Sequence, residues 1–196
     1  VSPTAPIPPG HPPLPGSRDF PTGSTSNSSP PGALEKEVVE GEIHLTGVMF
    51  EMPEGWLREP TPGGMMAPVA VIRLPKAEGD SEDGQIRITH FPGMKGLNDQ
   101  NIQRWQMQVK SSDDADAGKT SNMEHNDIKF TTFDATGAYD PGAAMGSSGA
   151  KTGQRFIGVI IDHPQGPHFI KASGPVNTMT HWRESIDEFL KSGKIG

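Results

Sequence analysis

The 196-residue chain contains no cysteine. That excludes a thiol nucleophile, a cysteine-held zinc site and an internal disulfide. It leaves the compartment open, because cysteine-free proteins occur in both redox environments. No run of residues approaches the roughly 20 apolar side chains needed to span a bilayer. A basic stripe is also missing. The formal net charge is −7, and Arg18 and Asp19 cancel within residues 1–32, so the excess acid belongs to the remainder of the chain. An acidic surface repels nucleic-acid phosphates and anionic lipid, which argues against nucleic-acid binding. Hydrophobic residues make up only 32%, diluted by 24 Gly and 20 Pro.

Half of those prolines lie before Leu34. Proline fixes φ and removes a backbone donor, so neither a helix nor a sheet ladder propagates through residues 1–36. The Ser/Thr/Gly-rich second half of this stretch has too few apolar groups to offset the entropy of ordering. The composition predicts a disordered tail or tether over 1–36, extended where proline dominates. Within it, Pro12-Pro13-Leu14-Pro15 could dock in an aromatic groove, although a passive spacer fits the composition better. Asn27-Ser28-Ser29 is a glycosylation acceptor pattern that has meaning only in a eukaryotic secretory pathway. A proline-rich start at Val1 suits the segment that follows an export signal or lipid anchor. The expectation is an exported protein, periplasmic or extracellular, that meets a membrane only through an anchor upstream of Val1.

Residues 37–196 are expected to form a single α+β domain. Strand patterns begin at Ile43 and run toward Met52, then at Trp56 to Glu59, Met66 to Leu74 and Gln85 to Phe91. In the last of these, Ile86, Ile88 and His90 share one side. A helix follows, with Asn98 as its expected N-cap and Ile102, Trp105 and Val109 as its apolar stripe. Strands are predicted again over Asp127 to Tyr139, Phe156 to Ile161 and His168 to Ser173. Phe156 to Ile161 is apolar enough to be a central strand buried on both faces. Pro175 suits the first turn of a final helix whose stripe is Met179, Trp182, Ile186, Phe189 and Leu190, with Gly193 as its stop. Hairpins dominate and no βαβ alternation is visible, which predicts an antiparallel sheet with helices packed on it.

Several local signatures carry this pattern: Gly55-Trp56, Leu74-Pro75 with Gly79-Asp80, Phe91-Pro92-Gly93, the run Asn101 to Gln108, Gly137-Ala138-Tyr139 and Gly174-Pro175. On them, residues 47–191 resemble the PsbP-like proteins, a fold shared with the Ran guanine-nucleotide release factor. The likeness is greater to a group of uncharacterised exported bacterial proteins. The resemblance implies an antiparallel sheet between helices, an α/β/α sandwich. By analogy it also implies an accessory or partner-binding role. Its motifs are turns and packing residues, and they carry no chemistry of their own.

Chemical motifs fail on their details. In Asp113 to Glu124, calcium-loop positions three and five would be Ala115 and Ala117, which offer no side-chain oxygen. Gly118-Lys119-Thr120 imitates the end of a phosphate loop, but Asp113 stands where the loop needs glycine. Gly146-Ser147-Ser148-Gly149 lacks the spacing of a nucleophile elbow. Two constellations remain as candidates. His163 and His168 flank a four-residue turn, and a hairpin would set them opposite one another, close enough to share a metal but with no third ligand nearby. Asn101 and Arg104 lie one helical turn apart, off the apolar stripe, as a polar patch for a partner. No cofactor motif is present. The preferred expectation is a non-enzymatic accessory or binding domain whose partner is a protein or envelope component. Two alternatives stay open: an enzyme with a site near the 140–153 loop, and a metal-dependent sensor using His163 and His168.

Overall fold

The computed structural model describes residues 41–64, 67–111, 118–143 and 149–196. The expectations for residues 1–36 and for Asp113, Asp114 and Asp116 lie outside these segments. The elements in chain order are β1 (Glu42–Leu45), β2 (Val48–Glu51), β3 (Leu57–Glu59), β4 (Ala70–Leu74), β5 (Gly84–His90), α1 (Asn98–Gln108), β6 (Val109–Lys110), β7 (Lys119–His125), β8 (Ile128–Tyr139), β9 (Lys151–Asp162), β10 (His168–Pro175), α2 (Val176–His181), α3 (Arg183–Lys191) and β11 (Lys194–Ile195).

Eight strands form one sheet in the order β3-β4-β5-β10-β9-β8-β6, with β7 also paired to β8. A second sheet has the order β1-β2-β11. Every pairing is antiparallel, as the hairpin-rich sequence predicts. Strand alternation sorts the large sheet's side chains into two faces. One face carries Ala70, Ile72, Leu74, Ile86, Ile88, Ile157, Val159, Ile161, Ile170 and Ala172. These form one core cluster with Met179 of α2, Ile186, Phe189 and Leu190 of α3, and Ile43, Leu45, Val48 and Phe50 of the small sheet. Phe133, Ala135, Phe156, Ile160 and Phe169 belong to a second cluster with Ile102 and Trp105 of α1. β9 therefore buries side chains of both clusters, which explains its nearly continuous apolar sequence.

Three boundaries differ from the sequence patterns. The stretch from Ile43 to Met52 is a hairpin turning at Thr46-Gly47. Gly47 has φ +74 and lies so close to the His163 ring that an added Cβ would stand 2.4 Å from it. β7 was not expected; six of its seven residues are polar and exposed, only Met123 packs partly against the core, and Asn126 and Asp127 at φ 51 and 60 turn it into β8. The final helix is two, broken at Trp182 with φ −90 and ψ 4. That residue's indole Nε1 donates to Pro75 O at 2.8 Å, fastening the break to the loop after β4.

The same loop caps α2. Asp80 accepts hydrogen bonds from the Thr178 backbone N–H at 2.7 Å, the Thr178 hydroxyl at 2.6 Å and Asn177 Nδ2 at 3.2 Å. These bonds, the Thr178 hydroxyl first, hold the Asp80 carboxyl below its ordinary range. A carboxylate with a lowered folded pKa contributes stability above the unfolded value of 3.8, and that contribution fades as pH falls through the folded value. Asp80→Ala should therefore lower the thermal midpoint at pH 7 and do so less at pH 2. Equal losses at both pH values would show that the charge does not matter.

Candidate functional site

α1 covers only part of its face of the large sheet. Trp105 is fully buried and packs edge-on against Phe156 and Phe169, with ring centroids 5.7 and 6.2 Å away. Gly158 of β9 makes room for it: a Cβ there would stand 2.4 Å from the indole. Beside α1, β5 and β10 leave a groove of about 500 Å³. Its floor is Gln85, Arg87 and Thr89 of β5 and Phe169, Lys171 and Ser173 of β10, all from one face by alternation. Arg104 and Gln108 line it from α1, and Phe91, Tyr139 and Pro141 complete the lining.

Three cations meet in this groove. Lys171 and Arg87 are directly opposite one another in the β5–β10 register. Like charges in that position repel. Arg104 adds a third positive charge, and its guanidinium donates to Asn101 Oδ1. Asn101 is itself held by a 2.8 Å bond from its Nδ2 to Leu97 O. Among the described residues, no carboxylate forms an ion pair with Arg87, Arg104 or Lys171; the ion pairs found there involve other groups. Burial, reinforced by Arg104 and Arg87, lowers the Lys171 amine from 10.5 to about 8. Burial raises the Tyr139 hydroxyl to about 12, partly countered by Arg87, so it keeps its proton throughout the physiological range.

An adjoining recess of about 290 Å³ shares Gln85, Tyr139, Pro141 and Ser173 with the groove. Its acids are already engaged. Glu82 meets Lys151 Nζ at 2.6 Å, and Asp83 meets Arg73 at 3.1 Å. The combined surface is thus polarised, with unneutralised cations beside α1 and neutralised carboxylates at the far end.

The other polar concentration is a histidine cluster near the β9–β10 turn. His168 is fully buried and stacks on His90, its direct partner across β5–β10, at a centroid distance of 4.4 Å. Its Nε2 bonds to Thr46 O at 3.0 Å, tying the β1–β2 turn to the large sheet. His168 Nδ1 and His90 Nε2 are buried without partners. Burial lowers both imidazoles, His168 to about 4.

The sequence candidates land in different places. Arg104 lines the groove, and Asn101, itself buried, accepts a hydrogen bond from its guanidinium. The expected pairing of His163 with His168 is corrected by the register. His168 faces Ile161 across β9–β10, and His163 lies beyond the end of β9. Their ring centroids are still 5.9 Å apart, but His163 Nδ1 accepts from Gln165 N–H, and its ring lies over Gly47. Among the described residues, no group of three or more His, Asp or Glu side chains is arranged to hold a metal ion. Asn98 does not cap α1, where Leu97 is the N-cap; its amide instead donates to both Asp162 oxygens, at 3.1 and 3.0 Å. From the 140–153 loop, Pro141, Gly149 and Lys151 line the recess, while residues 144–148 lie outside the described segments. Arg87 and Lys171 were missed. Each sits on the polar side of an alternating strand, but their meeting depends on a pairing between distant segments.

No protein-family model and no curated protein matches the chain. The solved structures similar to it include two that cover most of its length. The solution structure of cyanobacterial PsbP from Synechocystis sp. PCC 6803 is 14% identical, covers 76% of this chain and 87% of its own, and has a TM-score of 0.48. A crystal structure of a protein of unknown function from Pseudomonas aeruginosa is 11% identical, covers 77% of this chain and 93% of its own, and has a TM-score of 0.45.

Proposed function

We propose that the domain is a binding module that holds a small organic anion in the groove between α1 and the β5–β10 floor. The observation that carries this reading is the register pairing of Lys171 with Arg87, joined by Arg104 and without a carboxylate partner among the described residues. Lys171 is half-buried while Arg87 and Arg104 are exposed, and cations set opposite one another repel. A bound carboxylate or phosphate would relieve that repulsion through charge-assisted hydrogen bonds. Phe91, Phe169 and Tyr139 offer apolar surface for the rest of the ligand, the mixture expected of a small-molecule site.

The wider context is also a proposal. The frame is read as a PsbP-like α/β/α sandwich because α1 shares a core cluster with one face of the sheet and α2 with α3 share one with the other. Residues 1–36 are read as a tether and the protein as exported, on composition. No helix of the described residues is long and apolar enough to cross a membrane.

The test is thermal unfolding and calorimetry with inorganic phosphate and with malonate. Saturable binding should raise the thermal midpoint. Arg87→Gln and Arg104→Gln should each weaken it about tenfold, the order expected when one charge-assisted hydrogen bond is lost. Non-saturable effects, or affinities unchanged in both variants, would remove the anion reading.

A further inference from the structure

We propose that Lys171 is a reactive amine that condenses with a carbonyl group on the anion held in the groove, forming a reversible Schiff base. The inference rests on the anion reading and adds the ligand's chemical class: an aldehyde or ketone that also bears a carboxylate or phosphate. Lys171 extends from the middle of β10 into the groove, half-buried, with Arg87 opposite it and Arg104 on the overlying helix. A lysine surrounded by cations and partly withdrawn from water is deprotonated more readily than a surface lysine, and the neutral amine is the nucleophile. The lowering of its pKa to about 8 agrees with that placement. The other titratable groups lining the groove are Arg87, Arg104 and Tyr139, none of which is an anion near neutral pH.

The step balances without a further reactant. The Lys171 Nζ lone pair forms a C–N bond to the carbonyl carbon, the carbonyl π pair moves onto oxygen, and one of the two protons then on nitrogen passes to that oxygen. The resulting carbinolamine loses its hydroxyl as water together with the nitrogen-bound proton, leaving C=N. One water is released and no electrons change hands. Tyr139, which keeps its proton, lines the same groove and can donate a hydrogen bond to the carbonyl oxygen as negative charge develops on it.

The probe is glyoxylate, an aldehyde bearing a carboxylate, applied to the full chain with cyanoborohydride and followed by peptide mapping. Lys171 should be reduced to its carboxymethyl derivative at least about tenfold faster than any other lysine. Its rate should rise with pH to a half-maximum near 8. Lys171→Arg should abolish the fast phase. Acetaldehyde, which has no anionic group, should show much weaker selectivity for Lys171. Labelling spread evenly over the lysines overturns the proposal, as does saturable phosphate binding with Lys171 left unlabelled; the latter leaves the anion reading standing. Equally selective labelling by glyoxylate and acetaldehyde sustains the reactive amine and overturns its link to an anion.

Discussion

Gly158→Ala is expected to lower the stability of the protein by about 3 kcal/mol, and most of that loss should vanish when Trp105 is also truncated. The prediction rests on one contact. An alanine Cβ at position 158 would lie 2.4 Å from Trp105 Cε3, 2.5 Å from Cζ3 and 2.9 Å from Phe156 Cε1. Neither ring can retreat easily, since both are fully buried and Trp105 also packs against Phe169. Overpacking of this kind costs about 1–3 kcal/mol, and the upper end applies where rigid aromatic rings surround the clash. Trp105→Ala alone should cost about 3–5 kcal/mol through the cavity it leaves. In that background the methyl group added by Gly158→Ala meets only the Phe156 ring, which can shift into the space the indole leaves, so the second substitution should change stability by less than about 1 kcal/mol. Urea unfolding of the four proteins measures the cycle. Additive losses would mean that Gly158 is needed for some reason other than making room for the indole.

The cycle also bears on function, because Trp105 sets the position of α1. Arg104 is its neighbour in sequence, on the side of the helix that faces the groove. Losing the seat over Gly158 should therefore move the third cation away from Lys171 and Arg87. In the construction of the site, the core comes first: a glycine in a central strand admits a tryptophan, the tryptophan places the helix, and the helix places an arginine over a floor already carrying two cations.

That order explains which features were legible in the sequence. Alternation along Gln85 to Phe91 is plain in the sequence, as is the apolar stripe of α1, because each is a local periodicity. Asn101 and Arg104 could be paired for the same reason. Local pattern does not reveal which strand lies beside which. β5 and β10 are far apart in sequence, so the meeting of Arg87 with Lys171 could not be read from it, nor could the stacking of His90 on His168. β7 escaped because it turns only Met123 toward the core, which leaves no alternation to read; its other clue was the Asn126-Asp127 pair, suited to a tight turn with positive φ. His163 and His168 were mispaired by a small displacement of register, enough to exchange one cross-strand neighbour for another.

Acidification should loosen the same framework from the opposite face of the large sheet. His168 titrates at about 4 in the folded protein against 6.5 unfolded, chiefly because burial disfavours its charged form; the Thr46 carbonyl opposes the shift, and His90 and His163 add to it. A histidine with a lowered folded pKa leaves the unfolded chain binding more protons between these two values. Its contribution is complete above pH 6.5 and is lost as pH falls toward 4. A difference of this size corresponds to about 3 kcal/mol, an upper figure because local opening would let water reach the ring. His90 is lowered in the same direction, first by burial, so protonation would place charge on stacked rings. The Thr46 bond crosses from the β1–β2 turn to β10, and that turn should therefore be among the first parts to open. His168→Gln provides the control, since an amide N–H can still donate toward Thr46 O but does not titrate. Urea unfolding at pH 7 and pH 4.5 should show a loss of about 2 kcal/mol or more in the wild-type chain beyond that in the variant. Parallel pH dependence in the two proteins would mean that His168 is not the group that senses acid. Hydrogen exchange at the Thr46–Gly47 turn, quickening below pH 6 only in the wild type, would place the opening at the hairpin.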